Sequence, residues 1–241
     1  KAQVEIGQRK FDAAKADVAA AKKLGPKQLP VVYTEALLHF SQADYPAAKE
    51  SIQKLLSVAP DHLPTVLMAG AVETALGSLQ QAELHLRKYL RSFPDNAYAR
   101  KMLLSVLLKQ GQTTEAKAVL DPMLADAKPG AAADAQMLGL AGEVAMQGRD
   151  FDKAAAYFEK ASALQPQAAG LRTSLALSKL AQGDEARAIS QLEQSTKLDT
   201  SAPQAAVALT LTELRAKRYD KALAAITGLE AARPKDPMVH N

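Results

Sequence analysis

Four histidines, His39, His62, His85 and His240, are the side chains of this chain best suited to hold a metal or move a proton. Catalytic or structural zinc needs three or four His, Cys or carboxylate ligands converging on one point. No two of these histidines share a ligand-like neighbourhood, and with no cysteine in the sequence a thiolate nucleophile, a zinc thiolate and a disulfide are all excluded. The segments QGRD, Gln147 to Asp150, and GDEAR, Gly183 to Arg187, read as turns, and at them lie the acidic pairs Asp150 with Asp152, two residues past the first turn, and Asp184 with Glu185. Neither follows a strand or contains a Gly-rich phosphate loop. Their placement instead suits helix N-termini, where the backbone dipole stabilises negative charge. The sequence therefore predicts no catalytic residues, no metal and no cofactor. What remains is recognition chemistry: the aromatic side chains Tyr33, Phe40 and Tyr98 could anchor a bound segment or stack on a sugar ring.

The elements that would position those side chains are written in a repeat. The stretch GSLQQAELHLRKYLRSFP, from Gly77 to Pro94, ends one helix at Gly77, places Ala82 and Leu86 on the apolar face of the next, and closes at Pro94. The small anchor returns as Ala14, Ala48, Ala82 and Ala116 at steps of 34, as Ala154 after 38, and as Ala188 and Ala222 at 34 again. Apolar residues keep amphipathic helical spacing throughout, as in Phe11, Ala14, Val18 and Ala21, and no stretch alternates long enough to be a strand. The reading is all-α: seven helix-turn-helix repeats over 1–28, 29–62, 63–96, 97–130, 131–168, 169–202 and 203–236 with a tail at 237–241, the first opened only by a short helix from about Ala2 to Gln8.

A period of 34 with this internal grammar resembles the tetratricopeptide repeat, whose hairpins stack into a right-handed superhelical solenoid. A closer likeness lies in SVAPDHLPTVLMAGAVETALGSLQQAELHLRKYL and NAYARKMLLSVLLKQGQ, which resemble the PrsT family, repeat lipoproteins of the PEP-CTERM protein-sorting systems. That resemblance implies a periplasm-facing, outer-membrane-associated scaffold for exopolysaccharide biosynthesis or export, anchored by a lipid attached outside this segment. A cytoplasmic location stays open. Phase at both ends suggests a fragment of a longer protein, and KDPMVHN after Pro234 reads as the start of another hairpin.

In a tetratricopeptide array the first helix of each hairpin lines a concave groove. Projecting that frame places Tyr33, Leu37, Phe40, Leu67, Thr74, Tyr98, Lys101, Leu108 and Lys109 in one half of the groove. The other half receives Glu143, Met146, Thr173, Leu177, Leu180, Leu211 and Arg215. Phe11, Tyr45, Phe151, Phe158 and Tyr219 fall at packing positions. The Lys and Asn set with which some members clamp a C-terminal carboxylate is replaced by Tyr33, Leu67, Lys101, Gly139, Thr173 and Val207, which argues against a chaperone-tail partner.

The expected function is a non-enzymatic scaffold holding a protein or peptide in the groove. The alternatives are direct glycan binding through Tyr33, Phe40 and Tyr98, or the repeat arm of an enzyme whose catalytic domain lies elsewhere. Across 241 residues the net charge is +4 with basic and acidic residues interleaved, which disfavours nucleic acid. The basic group Arg215, Lys217, Arg218 and Lys221 reads as a solvated face. Two irregularities stand out. Pro122 falls inside a second helix, where a kink is expected. The four extra residues before Ala154 approximate one helical turn, so the fifth repeat's first helix is expected to start near Gly130 and run a turn longer, with a looser loop as the alternative. The superhelical path is expected to change there, and the segment from Asp126 to Asp134 to open first under proteolysis.

Overall fold

The computed structural model describes residues 1–125 and 134–234, all of whose regular structure is helical. Unit 1, Lys1–Val119, carries α1 (Ala2–Gly7), α2 (Phe11–Leu24), α3 (Leu29–Ser41), α4 (Tyr45–Val58), α5 (Leu63–Ala75), α6 (Leu79–Ser92) and α7 (Ala97–Lys109). The division falls within α8 (Thr113–Ala125). Unit 2, Leu120–Asn241, carries α9 (Ala135–Gln147), α10 (Phe151–Leu164), α11 (Ala169–Ala181), α12 (Glu185–Leu198), α13 (Pro203–Arg215) and α14 (Tyr219–Ala232). Within each unit, odd-numbered and following even-numbered helices pair as hairpins, and successive hairpins stack.

One backbone device makes every hairpin. Arg9, Ala43, Gly77, Gly111, Arg149, Gly183 and Lys217 all have positive φ, between 57° and 81°, and they recur with the repeat. In α3 the Ala43 N–H donates to the Phe40 carbonyl and the Asp44 N–H to the His39 carbonyl, at 3.0 and 2.9 Å, the paired bonds of a Schellman motif. The same residue then opens the next helix: the Asp44 carboxylate accepts the Ala47 N–H, as Asp150 does from Lys153 and Asp184 from Arg187. Of the two acidic pairs whose spacing could have suggested acid–base chemistry, Asp150 and Asp184 are thus helix caps and Asp152 accepts from the Gln182 amide at 2.6 Å, while the Lys153 ammonium and N–H hold the Asp150 carboxyl below its ordinary range. Pro30, Pro46, Pro64 and Pro203 sit in first turns, where a missing N–H costs nothing.

The alanine anchors are where hairpins close. Ala14, Ala48, Ala82, Ala116, Ala154 and Ala188 are fully buried and Ala222 is 2% exposed. In four hairpins a small residue on the first helix answers a large one on the second. Where the second helix brings Leu86 or Phe158, the first offers Gly70 or Gly142, and a Cβ on either glycine would lie within 2.8 Å of those side chains. Where the first helix carries Ala36 or Ala176, the opposite positions hold Ile52 and Leu192, both buried.

The four-residue insertion does not lengthen the fifth repeat's first helix. The Asp134 carboxylate caps α9 through the Met137 N–H at 2.7 Å, so the helix starts at Ala135 rather than near Gly130 and has the 13 residues of its counterparts α5 and α7. A capped N-terminus cannot add a turn without leaving its cap, so the added residues precede Asp134. The expectations for 126–133 and for the 235–241 tail lie outside the described residues. The α8 helix continues through Pro122 to Ala125.

Candidate functional site

The first helices of three consecutive hairpins in unit 1 converge on one cavity of about 620 Å³. α3 contributes Tyr33, Leu37 and Phe40, α5 contributes Leu67, Met68 and Ala71, and α7 contributes Tyr98. The α4–α5 connection supplies Asp61 and His62, and the end of α6 adds Tyr89 with Phe93 at its C-cap. Five of the chain's eleven aromatic residues therefore line one space.

Each wall is fixed by ordinary packing. Tyr33, Leu37 and Phe40 are half-buried against the core of Ala36, Ile52, Leu55 and Met68, which holds their inner faces while the outer ones stay open. The Tyr33 ring meets His62 edge-on at 5.6 Å, and its partial burial pushes the phenol above its ordinary value, so it remains a neutral hydroxyl. His62 Nδ1 lies 2.7 Å from the Thr65 hydroxyl. Tyr89 is buried, stacks at a tilt on Phe93 at 5.2 Å, and its hydroxyl accepts from the Asn96 amide at 3.4 Å. Lys88 binds the α4–α5 loop, donating to the Pro60 carbonyl at 2.8 Å and pairing with Asp61 at 2.7 Å. Asp61 is the one Asp, Glu, Lys or Arg of the lining, and that ion pair meets its charge. Tyr98, 58% exposed, is the most accessible predicted aromatic.

Five groove residues read from the sequence, Tyr33, Leu37, Phe40, Leu67 and Tyr98, are thus brought together. Others are not. Thr74 turns its hydroxyl onto the Gly70 carbonyl of its own helix at 2.7 Å. Lys101 and the exposed Lys109 lie on α7 away from the cavity lining. Leu108 is corrected from a groove residue to a core one: it is 4% exposed, because it lies on the α7 face shared with the buried Leu104. In unit 2, Glu143 is exposed on α9, and Met146 packs half-buried against Phe158 and Ala154. Leu177 is half-buried on α11, Leu180 packs on the Ala176 and Leu192 core, and Thr173 is buried with its hydroxyl 2.8 Å from Ser195. Leu211 and Arg215 are exposed on α13. Tyr219, read as a packing residue, is 63% exposed.

Among the lining residues that the frame missed are the aromatic rings of His62, Tyr89 and Phe93. The signal was present in Tyr89 and Phe93, two aromatics four residues apart at the end of a second helix. The frame assigns that helix to the outside, so only the geometry shows its final turn reaching the cavity. Among the described residues no group of three or more His, Cys, Asp or Glu could hold a metal ion, and no helix is long and apolar enough to cross a membrane.

Known proteins share this architecture. Family models described as tetratricopeptide repeat match residues 33–97 and 173–237, 73–138, and 135–167. No curated protein matches the sequence. Among solved structures, a chain of the APC/C hetero-tetramer Cut9-Hcn1 gives a TM-score of 0.78 at 17% identity, covering 99% of this chain, which spans 46% of that one. A tetratricopeptide repeat protein from Parabacteroides merdae gives 0.76 at 14%, covering 100% of this chain and 93% of that one. PilW, a type IV pilus biogenesis factor, gives 0.74 at 20%, covering 88% and 96%. Those identities speak for the fold alone. With one family model covering more than half of the residues and the hairpin turn recurring seven times, the chain belongs to the tetratricopeptide repeat family, an all-α solenoid architecture whose members generally serve as scaffolds for protein partners.

Proposed function

We propose that the protein is a non-enzymatic scaffold that holds an uncharged, apolar segment of a protein partner in the unit 1 cavity. The observation that carries this reading is the convergence of five aromatic side chains on one space whose single carboxylate is already paired with Lys88. Rigid aromatic walls bind apolar side chains with little loss of entropy. A buried charge on the ligand would find no counter-ion there. The carboxylate-clamping set is replaced by Tyr33, Leu67 and Lys101, which fits an internal segment better than a chain terminus.

The likeness of residues 57–90 and 96–112, in the third and fourth repeats, to the PrsT lipoproteins supports a setting at the periplasmic face of the outer membrane, in exopolysaccharide biosynthesis or export linked to PEP-CTERM sorting. The test is capture from envelope fractions of the native host by wild type and by Leu67→Asp and Tyr98→Ala. The expected result is an envelope protein encoded beside exopolysaccharide genes that is retained by wild type and lost by both variants. Saturable binding of exopolysaccharide through Tyr33, Phe40 and Tyr98, with no protein lost on substitution, would overturn the proposal in favour of a glycan-binding array.

A further inference from the structure

The walls of the unit 1 cavity also select the kind of segment held there, an inference that rests on the scaffold reading above. Further repeats of the array do not cover this space. The α3–α4 hairpin has α2 on one side and α5 on the other, and the α5–α6 hairpin has α4 and α7, so the stacking surfaces around the cavity are already taken. Its rings stand in fixed pairs. Tyr33 and His62 meet at 83° with centroids 5.6 Å apart, which makes a near right-angled corner, and Tyr89 and Phe93 make a shallower one at 37° and 5.2 Å.

The polar groups of the lining are few and of one kind. No Ser, Thr, Asn, Gln, Glu, Lys or Arg lines the space, the Asp61 carboxylate is paired with Lys88, and the Tyr89 hydroxyl is met by Asn96. What remains are the hydroxyls of Tyr33 and Tyr98 and Nε2 of His62, whose Nδ1 is engaged with Thr65. None of these three atoms has a hydrogen-bond partner among the described residues. Partial burial keeps the Tyr33 phenol protonated, and so able to donate.

That set discriminates between backbones. An extended strand brings an N–H with every residue, and those stripped of water here would find only two phenols and one ring nitrogen to accept them, a costly shortfall. A helix meets its N–H and C=O groups internally, so the wall donors would lose water against its side chains with nothing in exchange. Proline has no N–H to satisfy. In a polyproline II segment the carbonyls make no internal bonds and face outward as acceptors, and the fixed φ lowers the cost of ordering the chain.

We infer that the segment held in the cavity is proline-rich and adopts the polyproline II conformation. Its pyrrolidine rings lie in the Tyr33–His62 and Tyr89–Phe93 corners, and its carbonyls accept from the hydroxyls of Tyr33 and Tyr98.

The test uses three fluorescent, uncharged peptides on the same polar linker: repeats of proline-proline-leucine, and counterparts with alanine or with valine in place of every proline. Wild type is expected to bind the proline peptide about tenfold or more tighter than either counterpart, with little dependence on salt. Tyr33→Phe and Tyr98→Phe keep the rings and remove only hydroxyls without a partner in the fold. Each is expected to weaken binding of the proline peptide by about threefold to tenfold. Leu67→Asp is expected to abolish it, with unchanged far-ultraviolet circular dichroism showing that the helices remain formed. Binding of the alanine or valine peptide as tightly as the proline peptide, lost in Leu67→Asp, would overturn this inference and leave the scaffold reading standing. Unchanged affinity in both Tyr→Phe variants, or binding of none of the three peptides, would overturn it as well, whereas the scaffold reading itself falls only with the capture experiment.

Discussion

Gly142→Ala tests the packing rule on which the repeat rests. Gly142 lies inside α9, and a Cβ there would stand 2.6, 2.7 and 2.8 Å from three atoms of the Phe158 ring. Ordinary carbon contacts lie at about 3.5 to 4.0 Å, so a methyl group demands that the ring retreat by about 1 Å. The ring has nowhere to go. Phe158 is 1% exposed, enclosed by Ala154, Ala155 and Leu175. Overpacking of this kind costs about 1 to 3 kcal/mol, and contact with three ring atoms at once puts this site at the upper end. Against that, alanine gains about 1 kcal/mol over glycine in a helix interior. The balance is a loss of about 2 kcal/mol, or roughly 4 to 8 °C of melting temperature for a chain of this size. Gly228→Ala supplies the control: Gly228 lies inside α14 with nothing within 4 Å of its would-be Cβ, so the same substitution is expected to stabilise by up to about 1 kcal/mol. Thermal unfolding followed by circular dichroism reads both, and Phe158→Leu in the Gly142→Ala background is expected to restore part of the loss. A Gly142→Ala protein as stable as wild type would refute the reasoning, because the helices would then be free to separate.

Two further outcomes follow from the turns and from one histidine. Gly111, at φ 72°, occupies the position that Ala43 fills at φ 60°. Gly111→Ala is expected to cost about 1 kcal/mol, while Ala43→Gly relieves strain of similar size and is expected to be neutral or slightly stabilising in chemical denaturation. His85, half-buried on α6 beside the Lys49–Glu73 ion pair, is held below its ordinary pKa chiefly by burial, with Glu73 opposing and Lys88 assisting. Its neutral form is favoured in the folded state, so its contribution is complete above the unfolded value of about 6.5 and is lost as pH falls below that. Stability of wild type is expected to decline in that window more steeply than that of His85→Gln, and parallel curves for the two proteins would count against the burial argument.

The sequence alone determined the hairpin frame, because its causes are local. A helix of fixed pitch must repeat its apolar face, a close helix crossing must carry a small residue, and a hairpin of constant length must return at constant period. Ala14 through Ala222 obey these conditions, with the single longer step of 38 between Ala116 and Ala154, and are buried accordingly. The capping role of Asp150 and Asp184 was legible for the same reason, since a cap needs only its own next turn. The left-handed turn residue was less so: Gly148 invites that role, yet the structure gives it to Arg149, because the register of the Schellman bonds, not the preference of one residue, fixes which position must turn.

Tertiary structure decided what depends on distant segments meeting. Tyr33 and Tyr98 were visible as unplaced aromatics, but their sharing one space with Tyr89 and Phe93 depends on the rise between stacked hairpins, which no single period encodes. Leu108 and Leu211 read alike in the frame, yet one is 4% exposed and the other 57%. Leu108 shares the α7 face of the buried Leu104, but how far a neighbouring helix covers that face depends on what packs against it, not on the position's role in the repeat. The place of the four inserted residues was settled in the same way, by the hydrogen bond from the Met137 N–H to Asp134, which fixed where α9 begins where helical periodicity alone allowed an added turn.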